Sequence, residues 1–184
     1  MEARPLRLPL SAADVLALRA GDACLLSGPM LTARDAAHRR LVDTLHAGRP
    51  LPVALTDATV YYTGPTPARP GMVIGAAGPT TAGRLDPYTP ALLAAGARAL
   101  IGKGARGPAV SAALQQCRAV YFAAIGGAGA YLRTCIRTCT VAAYADLGTE
   151  AIYCLTVVNF PVIVAHDAHG GSVYAAPAAA RASS

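Results

Sequence analysis

The sequence predicts an α/β fold, a single layered domain with central strands flanked by helices. Three observations predict it. Apolar runs of strand length alternate with helical periods through the middle of the chain, which is the pattern of an α/β layer. Glycine and proline close nearly every run, as turns between short elements require. Hydrophobic residues make up 54% of the 184 residues and charged residues only 14%, enough for a sizeable core and unlike a disordered chain.

The elements follow in order. Ser11 with Asp14 three residues on is a capping-box signature, starting a short helix through residue 20. Gly21-Asp22 turns the chain into a strand over 23–27, which Gly28-Pro29 is expected to break. Residues 33–47 read as an amphipathic helix, with Arg34, His38, Leu41 and Leu45 on one face. Thr32 is the expected cap, Gly48 the residue past the end, and Arg34 falls in the first turn. Residues 53–63 are rich in β-formers, Gly64-Pro65-Thr66-Pro67 makes a rigid loop, and 72–77 form a short apolar strand. Pro87 and Pro90 open a helix ended by Gly96, and Pro108 opens another through residue 117. Strands are expected at 97–101 and 120–125, and a helix near 130–138. Residues 141–144, 152–158 and 162–165 read as β, with a solvated turn at 167–171. The β-rich ends suggest a second sheet. No repeat or linker divides residues 1–174, and 175–184 form an Ala/Pro/Ser-rich flexible tail.

Charge and cysteine content narrow the function. The net charge is +6, but the arginines are dispersed and the few aromatics do not interleave with them, which argues against nucleic-acid binding. The longest uncharged stretch, 151–165, holds Asn159 and Pro161 and is too short to span a bilayer. The first ten residues lack a signal-peptide apolar core, so a cytoplasmic protein with no membrane partner is expected. Five cysteines occur without a Cys-x-x-Cys pair. Cys135 and Cys139 would share a helix face, yet no His or Cys completes a site around them. They read as buried thiols, and the chain is expected to hold no metal.

Three loops that follow apolar strands deliver polar or charged groups. The first carries Thr32 and Arg34, the second Thr80, Thr81 and Arg84, and the third Lys103. Ligands in α/β sheets bind outside the carboxyl ends of the strands, where such loops meet. Lys103 is the only lysine beside fifteen arginines and stands between two glycines. An Arg fork takes a carboxylate bidentately, and a lysine offers a compact charge to a second one, so the pattern fits a dicarboxylate. The alternative is solvated charge around glycine turns, and residue types alone leave both readings open. A phosphate loop does not fit, because Gly104 follows Lys103 where Ser or Thr belongs. His38, one helical turn from Arg34, reads as a packing residue or a support for Arg34. Asp35 and Glu150 read as structural, with Asp35 placed to fix neighbouring loops.

Thr32-Ala33-Arg34-Asp35-Ala36-Ala37-His38, Gly78-Pro79-Thr80-Thr81-Ala82-Gly83-Arg84 and Gly102-Lys103-Gly104 together resemble the β-subunit, or C-terminal domain, of the class I fumarase and L(+)-tartrate dehydratase family. The resemblance continues through Gly126-Gly127-Ala128 and Leu147-Gly148-Thr149-Glu150-Ala151 and covers roughly residues 8–174. It implies a swivelling β/β/α domain and a hydro-lyase that adds or removes water on a four-carbon dicarboxylate such as fumarate, malate or tartrate. It implies a cluster-bearing α-subunit, in an α2β2 assembly, whose [4Fe–4S] centre has an open iron acting as a Lewis acid on the substrate hydroxyl. By motif position, Arg34, Arg84 and Lys103 bind substrate carboxylates, Thr81 hydrogen-bonds the substrate, and Thr80 is the base that removes the proton. His38 and Asp35 support them, and the general acid comes from the partner. The cluster-binding half is absent from this sequence, so the chain alone is expected to be inactive. The competing expectation is a stand-alone dicarboxylate-binding module without catalysis.

Overall fold

The computed structural model describes residues 2–175 of the chain. All of the expected tail except Ala175 lies outside the described residues. Strand β1 (Arg4–Arg7) leads to helix α1 (Ala12–Ala17), where the capping box closes: Asp14 N donates to Ser11 Oγ at 3.1 Å and Ser11 N to the Asp14 carboxylate at 2.9 Å. The helix stops before residue 20 because Leu18 turns extended and buries completely. Strand β2 (Ala23–Thr32) runs through Gly28-Pro29 instead of breaking there. Its register slips between Leu26 and Gly28, a bulge that absorbs the irregular backbone. Gly28 takes φ +133°, and a Cβ there would stand 2.6 Å from the Leu8 carbonyl oxygen.

Helix α2 (Asp35–His46), strand β3 (Thr59–Tyr61), helix α3 (Thr89–Ala94), strand β4 (Ala99–Gly102), helix α4 (Pro108–Gln116) and strand β5 (Val120–Ala123) form the alternating middle. Residues 72–77 are not a strand, although Ile74 and Ala77 are buried. Their backbone bonds are irregular rather than laddered, with Thr66 N donating to Ala76 O at 3.0 Å and Ala77 N to Gly129 O at 3.2 Å. The helix expected near 130–138 shrinks to α5 (Gly129–Leu132) and one 3-10 turn, and strand β6 (Ile136–Ala143) begins at Ile136. A run of β-branched residues takes the chain there. Cys135 therefore ends a turn while Cys139 sits in β6, and the two do not share a helix face. The two last expected strands are one, β7 (Ile152–His166), which accommodates Pro161 and holds Asn159 at φ +53°.

A single seven-stranded sheet results, in the order β1-β2-β3-β4-β5-β7-β6, rather than the two sheets expected from the β-rich ends. Strands β1 to β5 pair in parallel, and β7 runs antiparallel to β2, β5 and β6. The β2–β7 pairing closes a circuit through β3, β4 and β5, and this is what draws the early and late strands into one sheet. Alternation along each strand then sorts the core. Tyr61, Ile101 and Phe122 fall in one apolar cluster, with Leu155 and Phe160 of β7. Val60, Leu100 and Tyr121 fall in the other, beneath α2, α3 and α4. Among the described residues no helix is long and apolar enough to cross a membrane.

Candidate active site

Strands β2, β3 and β4 are parallel neighbours, so the loops at their carboxyl ends leave the same edge of the sheet. The Thr80 loop and the Lys103 loop are stitched by backbone. Thr80 N donates to Tyr62 O at 2.7 Å, Lys103 N to Thr80 O at 3.1 Å, and Ala82 N to Lys103 O at 2.8 Å, with Thr81 and Lys103 in a parallel bridge. The two hydroxyl residues and the lone lysine are thus held in fixed register. The Lys103 stem passes Gly126, where a Cβ would lie 3.5 Å from Lys103 Cδ.

Arg34 is not in the first helical turn. Its φ and ψ of −135° and −158° are extended, making it the residue before α2, because Ala33 N still donates to Tyr61 O at 3.1 Å and keeps the chain in strand geometry. Thr32 does not cap the helix either, since its hydroxyl accepts from Tyr153 N at 3.0 Å on β7. The cap is Glu150, whose Oε2 accepts from Ala36 N at 2.8 Å. The other Glu150 oxygen lies 3.3 Å from Arg34 Nε. Asp35 Oδ2 lies 3.3 Å from Arg34 Nε and 3.0 Å from Arg84 Nη2. One carboxylate oxygen therefore contacts both the first loop and the second. The Arg34 stem crosses Gly64, where a Cβ would come within 2.7 Å of Arg34 Cδ.

His38 is completely buried and donates from Nδ1 to the Arg34 carbonyl at 3.0 Å. That bond fixes the neutral Nδ1–H tautomer and leaves a buried Nε2 with no partner among the described residues. The ring meets Tyr62 edge-on at 5.0 Å. Burial pushes its pKa down to about 4, against the pull of the Arg34 carbonyl, and Arg106 adds to the depression. It supports Arg34 through the backbone and does not reach the guanidinium.

The site is open in this chain. Side-chain exposure is 29% for Arg34, 36% for Asp35 and 48% for Arg84, and Thr81 and Lys103 are also exposed. Thr80 is half-buried. Asp167, expected in a solvated turn, and His166, which precedes it, are buried instead: Asp167 accepts from the amides of Ala20, His169 and Gly171, and His166 packs against Tyr121 and Tyr174. Among the described residues no three His, Cys, Asp or Glu side chains gather, and burial raises the pKa of Cys24, Cys135 and Cys139. Glu150, expected to be structural, caps α2, and Arg106 has no motif beyond its place three residues after Lys103.

With this geometry in place, the sequence profile described as Fumarase C-terminus matches residues 4–177. The chain belongs to the fumarase C-terminal family. It is 36% identical over 151 residues to fumarate hydratase 1, mitochondrial, of Leishmania major, and 35% identical over 151 residues to the anaerobic class I fumarate hydratase of Escherichia coli. Each match covers 81% of this chain but only 28% of the relative, so the chain spans little more than a quarter of those proteins. A putative L(+)-tartrate dehydratase subunit beta of Methanocaldococcus jannaschii is 33% identical over 171 residues, covering 90% of this chain and 88% of that protein. Among its relatives, a fumarase C-terminal chain thus corresponds either to a segment of a long hydratase or to nearly a whole subunit.

Proposed function

We propose that this chain is the substrate-clamping β-subunit of a hydro-lyase that adds or removes water on a four-carbon dicarboxylate, working in the cytoplasm with a cluster-bearing α-subunit, in an α2β2 assembly. The observation that carries the reading is the shared carboxylate of Asp35, which gathers Arg34 and Arg84, beside the backbone register that sets Thr80 and Thr81 against Lys103. In this reading Arg34 and Arg84 fork one substrate carboxylate, and Lys103 takes the charge of the other. Thr81 donates a hydrogen bond to the substrate. Thr80 removes the proton from the carbon beside a carboxylate, and the cations stabilise the negative charge that then builds up.

The open site supports the need for a partner. A threonine hydroxyl is a weak base in water, and an alkoxide is favoured only in a dry, cationic enclosure. Here Arg84, Lys103 and Thr81 face solvent, and Asp35 and Glu150 offset part of the positive charge. A second protein surface over these loops would exclude the water. In this reading the cluster belongs with that surface. The test is fumarate hydration assayed anaerobically with each subunit alone and with both together. Turnover is expected only from the pair, and Thr80→Val should lower it by about a hundredfold or more while dicarboxylate binding persists. Turnover by this chain alone, or a Thr80→Val pair at full rate, overturns the proposal.

A further inference from the structure

Among the described residues, Arg106 is the one basic side chain of the ion pairs that is entirely buried, with 0% of its side chain exposed. Its guanidinium lies over two aromatic rings, 5.3 Å from the centre of Tyr62 and 4.9 Å from that of Tyr121. Nε donates to Asp86 Oδ1 at 2.7 Å, Nη2 to Thr89 Oγ1 at 2.6 Å, and Nη1 to Tyr62 Oη at 3.4 Å. The second Asp86 oxygen accepts from Gly107 N at 2.6 Å. The carboxylate therefore grips both the side chain of Arg106 and the backbone that follows it.

The placement of these partners matters more than the burial. Asp86 comes two residues after Arg84, at the end of the 3-10 turn Ala82–Leu85. Arg106 comes three residues after Lys103. Tyr62 accepts from Thr80 N through its carbonyl and meets Arg106 through its hydroxyl. Tyr121, the second ring against the guanidinium, donates from its hydroxyl to Gly104 O at 2.9 Å. Each of the two loops that carry the candidate hydroxyls and the lysine thus returns to this one cation.

We propose that Arg106, with Asp86, is a positioning residue: a buried latch that sets the Thr80–Thr81–Arg84 loop against the Lys103 loop and so fixes the spacing between hydroxyls and ammonium. The proposal deepens the functional reading and rests on it for the identity of the ligand, but the latch itself is a property of the loops. A lysine cannot replace the arginine, because a single ammonium cannot span Asp86, Thr89 and Tyr62 at once.

The test is amide hydrogen exchange on the full chain for wild type, Arg106→Lys and Asp86→Asn, with L-malate titrated into the chain assembled with its partner as a second readout. The amides of Thr80, Ala82 and Lys103 should exchange about tenfold faster or more in either variant, while amides of the β2–β7 ladder keep their protection. A merely structural role would speed both sets together, and that result overturns the latch. Asp86→Asn is nearly isosteric and keeps the latch falsifiable if Arg106→Lys does not fold. Weaker malate binding in the variants alongside selective exchange supports both the latch and the ligand. Selective exchange with no malate binding by wild type keeps the latch and removes the dicarboxylate reading.

Discussion

Asp35 contacts two guanidiniums, Arg34 and Arg84, which is why it matters more than its exposure suggests. An isolated ion pair at 36% exposure contributes little to stability. Here the same oxygen orders two guanidiniums from different loops, so its value lies in pre-orientation rather than in folding energy. His38 acts at the other end of Arg34, through the backbone, and makes a prediction of its own. An unfolded histidine gains its proton near pH 6.5, whereas buried His38 resists until about 4. Between those values the unfolded chain binds the extra proton, so acid favours unfolding. The contribution of neutral His38 is complete above pH 6.5 and is lost as pH falls toward 4, by at most on the order of 3 kcal/mol. His166 is shifted in the same direction, chiefly by burial, and adds to the slope. His38→Asn keeps a donor near the Nδ1 position and removes the titration, so melting temperature followed between pH 7 and about pH 4 should fall less steeply than in wild type. An unchanged slope would remove His38 from the account.

At the scale of elements, local signals were legible and distant ones were not. The capping box of α1 and the prolines opening α3 and α4 involve residues within one turn of each other, and sequence alone placed them. The cap of α2 comes from Glu150, 114 residues away, and no local pattern can reveal such a partner. Strand β7 looked like two strands because Asn159 and Pro161 ordinarily interrupt a ladder. Asn159 N donates to Ser27 Oγ at 3.0 Å, which compensates for one lost ladder bond. Gly28-Pro29 misled in the same way: it is a bulge on β2, and its glycine is needed for a steric reason. Gly28→Ala would force a side chain into φ +133° and against the Leu8 carbonyl. It should cost about 2 kcal/mol or more in urea unfolding. A loss under ~0.5 kcal/mol would mean that the bulge relaxes freely.

For the whole molecule, the closed strand circuit explains why distant motifs meet. Parallel pairing of β2, β3 and β4 sends their following loops to one edge, and β7 ties the early and late strands into the same sheet. The candidate residues stood out in sequence because each follows an apolar run, and glycines also flank the loops of Thr80, Thr81, Arg84 and Lys103. Their bonding did not, since the Asp35 bridge and the Arg106 latch depend on tertiary placement. An arginine in a Gly-rich loop reads as surface until the two tyrosines against it are seen. The central claim is that these loops hold a dicarboxylate, and calorimetric titration of L-malate into the assembled protein tests it most directly with Lys103→Met. Methionine leaves the stem near Gly126 and removes only the ammonium. Affinity should fall by about tenfold to a hundredfold, the worth of one charge-assisted contact. Equal affinity in wild type and Lys103→Met would contradict the account.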